Sequence, residues 1–150
     1  ALVGAVAQEI QEWEPDAVFV DGVGVGAGVV DRLRELGFSV TDAQAGARAI
    51  DAKKYANRRA EMWSGMREWL ANGGIPEDQD LFEDMIGVEY GFTSSGSLLL
   101  EKKEDMKKRG LSSPDRADSL ALTFYAPVAS KEIQRMQRRA RTEYDVLGWR

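Results

Sequence analysis

Leu2, Val3, Val6, Ile10 and Trp13 recur at helical spacing along one face, and Pro15 ends the run. The chain thus opens with an amphipathic helix that has no cap before it, as a fragment of a longer protein would. Ala17-Val18-Phe19-Val20 is a short continuous apolar run closed by Asp21, the pattern of a strand buried on both faces of a parallel sheet. A turn rich in glycine (Gly22, Gly24, Gly26, Gly28) leads into a helix carrying Val29, Val30, Leu33 and Leu36, with Gly37 at its end. Phe38-Ser39-Val40-Thr41 then reads as a second strand. One β-α-β unit makes the fold class α/β.

Residues 42–53 read as loop. Asn57 to Leu70 predicts a strong helix whose apolar face is Ala60, Met62, Trp63, Met66, Trp69 and Leu70. Leu81 to Ile86 predicts a short one. Val88 to Thr93 and Ser97 to Glu101 flank Ser94-Ser95-Gly96 and predict a β-hairpin. Lys102 to Arg109 is a charged helical turn. Ser113-Pro114 starts another helix, with Ser as its cap and Pro in its first turn, running to about Ala126. Residues 131–142 form a separate, largely basic helix. The domain reading is therefore 1–128 for the folded unit and 129–150 for a basic helix and tail.

Composition narrows the chemistry. The 150 residues contain no Cys and no His, which excludes disulfides, thiol nucleophiles, His general bases and Cys/His metal sites. Catalysis, if any, falls to carboxylates, Lys, Tyr, hydroxyls or a hard metal held by oxygen. The longest apolar runs are of strand length, so no membrane segment is expected.

Two aspartates stand out against this pattern. Asp21 ends a buried strand, the sheet edge where α/β proteins bind ligands; the alternative is that it caps the following turn. Asp118 falls within the apolar arc of its helix, between Ala121 and Leu122. A carboxylate there needs a cation or hydrogen bonds, and Lys103, Arg109 or Arg116 could supply a plain salt bridge. Asp115, one turn earlier, reaches the same space. Carboxylates on a strand end and on a later helix make an oxygen-only site suited to Mg²⁺ or Mn²⁺.

The stretch from Leu100 to Phe124 contains Lys103, the basic turn Lys107-Lys108-Arg109-Gly110, and Ser113-Pro114-Asp115-Arg116-Ala117-Asp118-Ser119-Leu120-Ala121-Leu122-Thr123-Phe124. It resembles the end of the nuclease domain of tailed-phage terminase large subunits. Val18-Phe19-Val20-Asp21-Gly22 is similar to that family's second acidic strand. Asn57-Arg58-Arg59-Ala60-Glu61-Met62-Trp63 is similar to its Arg-Ala-Glu-Met-Trp helix. The likeness covers about residues 1–127, with three motifs in order.

The resemblance implies an RNase H-like α/β fold, a mixed sheet with flanking helices, lacking its first strands. It implies a metal-dependent endonuclease that cuts concatemeric double-stranded DNA for packaging. Asp21, Asp118 and Asp115 would be metal ligands for Mg²⁺ or Mn²⁺, two ions in a complete domain. Lys103 would contact the scissile phosphate, and Lys102, Lys107, Lys108 and Arg109 would guide the DNA. Implied partners are the portal protein, the small terminase subunit and an ATPase domain of the same chain, in the host bacterial cytoplasm. The sequence departs from the pattern in having no first acidic strand and no Walker-type loop, so weak or absent cleavage is expected of these 150 residues alone.

Two other readings compete. Gly22-x-Gly24-x-x-Ala27 followed by Asp42 matches a dinucleotide-binding fingerprint. The basic helix with Tyr144, Val146, Leu147 and Trp149 suits a non-catalytic docking module for portal or DNA. Net charge −5 does not exclude DNA: residues 1–99 hold 8 basic and 17 acidic side chains and residues 100–150 hold 12 and 8, a division into −9 and +4 that puts the basic part next to the acidic helix.

Overall fold

A computed structural model describes residues 1–137. Its elements in order are α1 (Leu2–Trp13), β1 (Phe19–Asp21), α2 (Val25–Glu35), β2 (Thr41–Ala43), α3 (Arg58–Leu70), α4 (Gln79–Gly87), β3 (Tyr90–Phe92), β4 (Leu98–Leu100), α5 (Lys103–Lys108) and α6 (Asp115–Leu122). Residues 131–137 are also helical. No helix among the described residues is long and apolar enough to cross a membrane.

The α/β class holds. β1 and β2 pair in parallel, Val20 opposite Asp42, across the α2 crossover. β3 and β4 form the expected antiparallel hairpin, with Gly96 at φ 85 in its turn. Among the described residues the strands make two separate pairs rather than one continuous mixed sheet.

Two apolar clusters hold these parts. Val29, Val30 and Leu33 of α2 are buried with Val40, and the Val3, Val6 and Ile10 stripe of α1 packs on them. Met62, Trp63 and Met66 of α3 are buried against Ala117 and Ala121 of α6. The small residues on α6 let α3 approach closely, so whatever else these two helices carry is set at short range. Trp69, expected on the apolar face of α3, is 43% exposed and lies over Gly73 and Phe124.

Several boundaries differ from the sequence reading, each for a local reason. The second strand is displaced from 38–41 to Thr41–Ala43. Gly37 turns back at φ 86 and Phe38 N–H closes α2 by bonding the Leu33 carbonyl at 3.0 Å, so pairing with β1 starts only at Thr41. β1 is half-buried at Phe19 and Val20 rather than buried on both faces, because the pair has only two strands to cover it. α2 begins at Val25, with Gly24 at φ 64 making the turn, so Gly26 and Gly28 are helical.

Ser113 does not cap α6. Pro114 occupies the cap position without a side-chain bond, and the Asp84 carboxylate of α4 accepts from Arg116 N–H at 2.9 Å and Ala117 N–H at 3.4 Å. The cap is supplied from another helix. α6 stops at Leu122 rather than near Ala126, because Thr123, Phe124 and Tyr125 switch to tighter three-residue bonds. Asn57 caps α3 as the sequence suggests, accepting from Ala60 N–H at 2.9 Å.

The segment after Pro127 is anchored to the end of α1. Lys131 N–H bonds the Asp16 carboxylate and Lys131 Nζ the Glu14 carbonyl, both at 2.7 Å. Residues 138–142 of the expected basic helix, with Arg138, Arg139 and Arg141, and the tail residues Tyr144, Val146, Leu147 and Trp149 lie outside the described residues.

Candidate functional site

The parallel β1–β2 pair fixes where β1 ends, and α6 packs across that end. Asp21 and Asp118 therefore line one cleft of ≈ 180 Å³, together with Ala45, Arg59, Met62 and Lys103. The strand-end acid and the helix acid come together as the sequence spacing suggested. The alternative for Asp21 is also realised, since its Oδ1 accepts from Val23 N–H at 3.2 Å in the turn.

Asp118 is the better buried of the two, its side chain 20% exposed, and it is surrounded by donors. Oδ1 accepts from Arg59 Nε at 2.9 Å and from Trp63 Nε1 at 2.8 Å. Oδ2 meets Lys103 Nζ at 2.9 Å. Lys103 also reaches Asp115 at 3.3 Å, while Asp115 itself is 79% exposed. Burial alone would push the Lys103 ammonium down, but Asp118 and then Asp115 outweigh it and hold its pKa above the ordinary value.

Of the three cations weighed from the sequence as partners for Asp118, only Lys103 is one. Arg109 is bound to Glu101, to Glu89 and to the Gly87 carbonyl; Arg116 is bound to Asp78 and Asp80. Arg59 and Trp63 were missed. They stand four residues apart, hence on one face of α3, and a cation with an indole N–H at that spacing on a buried helix was the available signal.

The basic turn is partly neutralised. Lys108 pairs with Asp105 at 2.7 Å and Arg109 with Glu101. Lys102 and Lys107 make no ion pair among the described residues and are exposed. Of the stretch read as DNA-guiding, these two present free charge on the side of α5.

The donor set suits a hard cation. Asp118 Oδ2, Asp21 and Asp115 are all carboxylate oxygens, and the Lys103 ammonium already lies between two of them. Among the described residues, no three acids converge tightly enough to hold an ion by themselves. Mg²⁺ commonly binds through one or two carboxylates, with water and substrate phosphate completing its shell, so the residues present fit a partial site.

The glycine-rich turn has its own packing logic. A Cβ at Gly22 would stand 1.9 Å from Asp42 Oδ1, and one at Gly26 1.7 Å from the Asp21 carbonyl. Asp42 Oδ1 is buried there without a donor. The space over Gly22 is thus filled by a carboxylate, which repels a pyrophosphate, and the dinucleotide reading loses its phosphate seat. A larger groove of ≈ 400 Å³, lined by Val6, Ile10, Trp13, Val18 and Leu122, is apolar and carries no comparable chemistry.

Comparison with known proteins bears on the fold. No protein-family model matches the sequence, and no curated protein matches it. Among solved structures, the chain is similar to the nuclease domain of the large terminase subunit gp2 of bacterial virus Sf6, with a TM-score of 0.66 at 20% identity over 84% of this chain and 72% of that one. A lysine-to-alanine variant of that domain with manganese aligns at TM-score 0.64 and 20% identity, covering 83% and 72%. A variant form with calcium aligns at 0.63 and 19%, covering 83% and 71%. The fold is similar to that of this nuclease domain.

Proposed function

We propose that the chain is the nuclease part of a phage DNA-packaging terminase large subunit, an endonuclease that cuts concatemeric double-stranded DNA with divalent metal. The observation that carries the reading is the shared cleft of Asp21 and Asp118, flanked by Lys103 and Asp115. The likeness in fold to a viral terminase nuclease domain, one form of which holds manganese, supports it.

In this reading Asp118, Asp21 and Asp115 are the residues that would hold Mg²⁺ or Mn²⁺. A bound ion would supply the positive charge that activates water and steadies the leaving oxygen of the phosphodiester. Lys103, released from Asp118, contacts the scissile phosphate. Lys102 and Lys107 hold the backbone nearby, with Lys108 and Arg109 contributing once their acidic partners yield. A two-ion centre needs more carboxylate than these residues bring together. With so few acids brought to the cleft among the described residues, the reading expects weak or absent cutting from this chain. The portal, the small subunit and an ATPase domain are the corresponding partners, and the host bacterial cytoplasm the corresponding place.

Calorimetric titration with Mn²⁺ tests the site. Wild-type chain should bind, and Asp118→Asn and Asp21→Asn should each weaken binding at least tenfold, since losing even an outer hydrogen-bond partner of a ligand costs roughly 10–100-fold. Unchanged binding in both variants, or none in the wild type, refutes it. Robust plasmid cutting by this chain with Mn²⁺, abolished by Asp118→Ala, would refute that expectation of weak cutting.

A further inference from the structure

The Asn57–Trp63 segment holds the richest chemistry that the proposed reaction leaves unused. Arg59 and Trp63 both donate to the same oxygen, Asp118 Oδ1, at 2.9 and 2.8 Å. Neither donor is free to wander. Arg59 is pinned a second time by Nη1 on the Glu101 carbonyl at 3.0 Å, and its side chain is 14% exposed. The Trp63 indole is 8% exposed and packed in the cluster with Met62, Met66, Ala117 and Ala121. The helix under them is fixed by the Asn57 cap. Oδ1 is thereby saturated. Among the described residues, Oδ2 is held only by Lys103, whose side chain is 42% exposed and can turn toward solvent.

We propose that Arg59 and Trp63 are positioning residues that force Asp118 to offer one oxygen to a cation, and that this selects Mg²⁺- or Mn²⁺-sized ions over Ca²⁺. The inference rests on the metal-site reading above. Small octahedral ions take carboxylates through one oxygen at about 2.1 Å, whereas Ca²⁺ needs 6–8 oxygens and gains from two-oxygen binding. With Oδ1 occupied, Asp118 cannot close on a large ion with both oxygens. The smaller ion loses nothing by this, and the larger one loses a ligand. Outer hydrogen bonds of this kind typically tune metal sites.

The test measures Mn²⁺ and Ca²⁺ affinities of the full 150-residue chain by calorimetry, for wild type, Trp63→Phe and Arg59→Lys. Phe keeps an aromatic ring and removes only the N–H donor with part of the ring system. Lys keeps the charge and removes the Nε–H. Each variant should narrow the Mn²⁺-over-Ca²⁺ preference by about tenfold, chiefly through tighter Ca²⁺ binding. A purely structural role would weaken both ions together and leave the ratio alone. Circular dichroism checks folding; should Trp63→Phe unfold, Arg59→Lys, which leaves the indole in place, decides the matter. Wild-type binding with an unchanged ratio in the folded variants overturns the selection and leaves the metal site standing. No Mn²⁺ binding by the wild type overturns both.

Discussion

Replacing Asp118 in two ways separates its structural work from its charge. Asp118→Ala removes both oxygens and leaves Arg59 Nε and Trp63 Nε1 without acceptors, in side chains 14% and 8% exposed. Arg59 Nη2 is already buried without a partner, so that guanidinium would keep only its bond to the Glu101 carbonyl. Breaking a fully buried ion pair from one side costs about 3–5 kcal/mol. Here the cleft is open and Lys103 escapes to solvent, which lowers the expected cost to about 2–3 kcal/mol. For a chain of this length that is roughly 5–10 °C in Tm. Asp118→Asn keeps an oxygen where Oδ1 stands and loses only charge and the Lys103 contact. Its cost should be about 1 kcal/mol, the scale of one ordinary hydrogen bond. Urea unfolding followed by circular dichroism reads both. Equal losses, or a larger loss in Asn than in Ala, would show that the Oδ1 bonds do not hold α3 to α6, and the account of this carboxylate would fail.

Asp84→Ala should cost about 1 kcal/mol, the value of a helix cap, because it strips the acceptor from the Arg116 and Ala117 N–H groups; an unchanged urea midpoint would mean that α6 is capped otherwise. Met106→Ala, at a position 1% exposed, should cost about 2–5 kcal/mol on the same assay, and a loss under about 1 kcal/mol would contradict its place in the core. Four carboxylates are held below their ordinary values of 4.5 or 3.8: Glu61, where backbone N–H groups of Asp51 and Ile50 and the Arg58 guanidinium outweigh burial, Glu101 beside Arg109, Asp78 bonded to Leu81 N–H, and Asp105 beside Lys108. Depressed acids stabilise the fold above their unfolded values, so the urea midpoint should be level down to about pH 5 and fall below it; a midpoint that rises on acidification reverses the sign of this argument. If the basic turn holds DNA, the double change Lys102→Ala, Lys107→Ala should reduce the log-log salt slope of binding by about 1.8, at about 0.9 per phosphate contact. Lys108→Ala should change it less, given the pairing with Asp105, and equal effects would show that this pairing does not persist on DNA.

The sequence made the elements legible where one local rule acts alone. The hairpin follows from a Gly-containing turn between apolar runs, and α3 from an Asn cap with a 3.6-residue stripe. It made the two acids legible because an Asp on an apolar helix face violates burial and demands a reason. What it left hidden is settled by contacts distant in sequence. Asp84 caps α6 from 32 positions away, and Arg59 reaches Asp118 from 59. The nearby cations weighed as partners for Asp118 were largely claimed by other acids: Arg109 by Glu101 and Arg116 by Asp78 and Asp80. Summed charge hides this, since the +4 of residues 100–150 includes cations already neutralised in place.

The glycine-rich turn shows why spacing alone decides so little. Gly22-x-Gly24-x-x-Ala27 satisfies a dinucleotide fingerprint, and Asp21 beside it satisfies a metal-site pattern; the two need opposite charge on the same ground. Gly22 leaves room for the Asp42 carboxylate, and Gly26 for the Asp21 carbonyl. Neither glycine therefore serves the approach of a phosphate: Gly22 serves the close packing of the Asp42 side chain at the end of β1, and Gly26 the approach of α2 to β1. That approach brings the backbone of Asp21 hard against α2, while its side chain faces the cleft it shares with Asp118. Gly26→Ala must push the strand end and α2 apart, moving Asp21 relative to Asp118. On the metal-site reading, a fold tolerant of that change would keep Asp118 in place with Asp21 displaced from it. The glycines thus belong to the geometry of the acidic cleft, which is why a pattern shared with nucleotide-binding turns occurs in a chain whose chemistry points elsewhere.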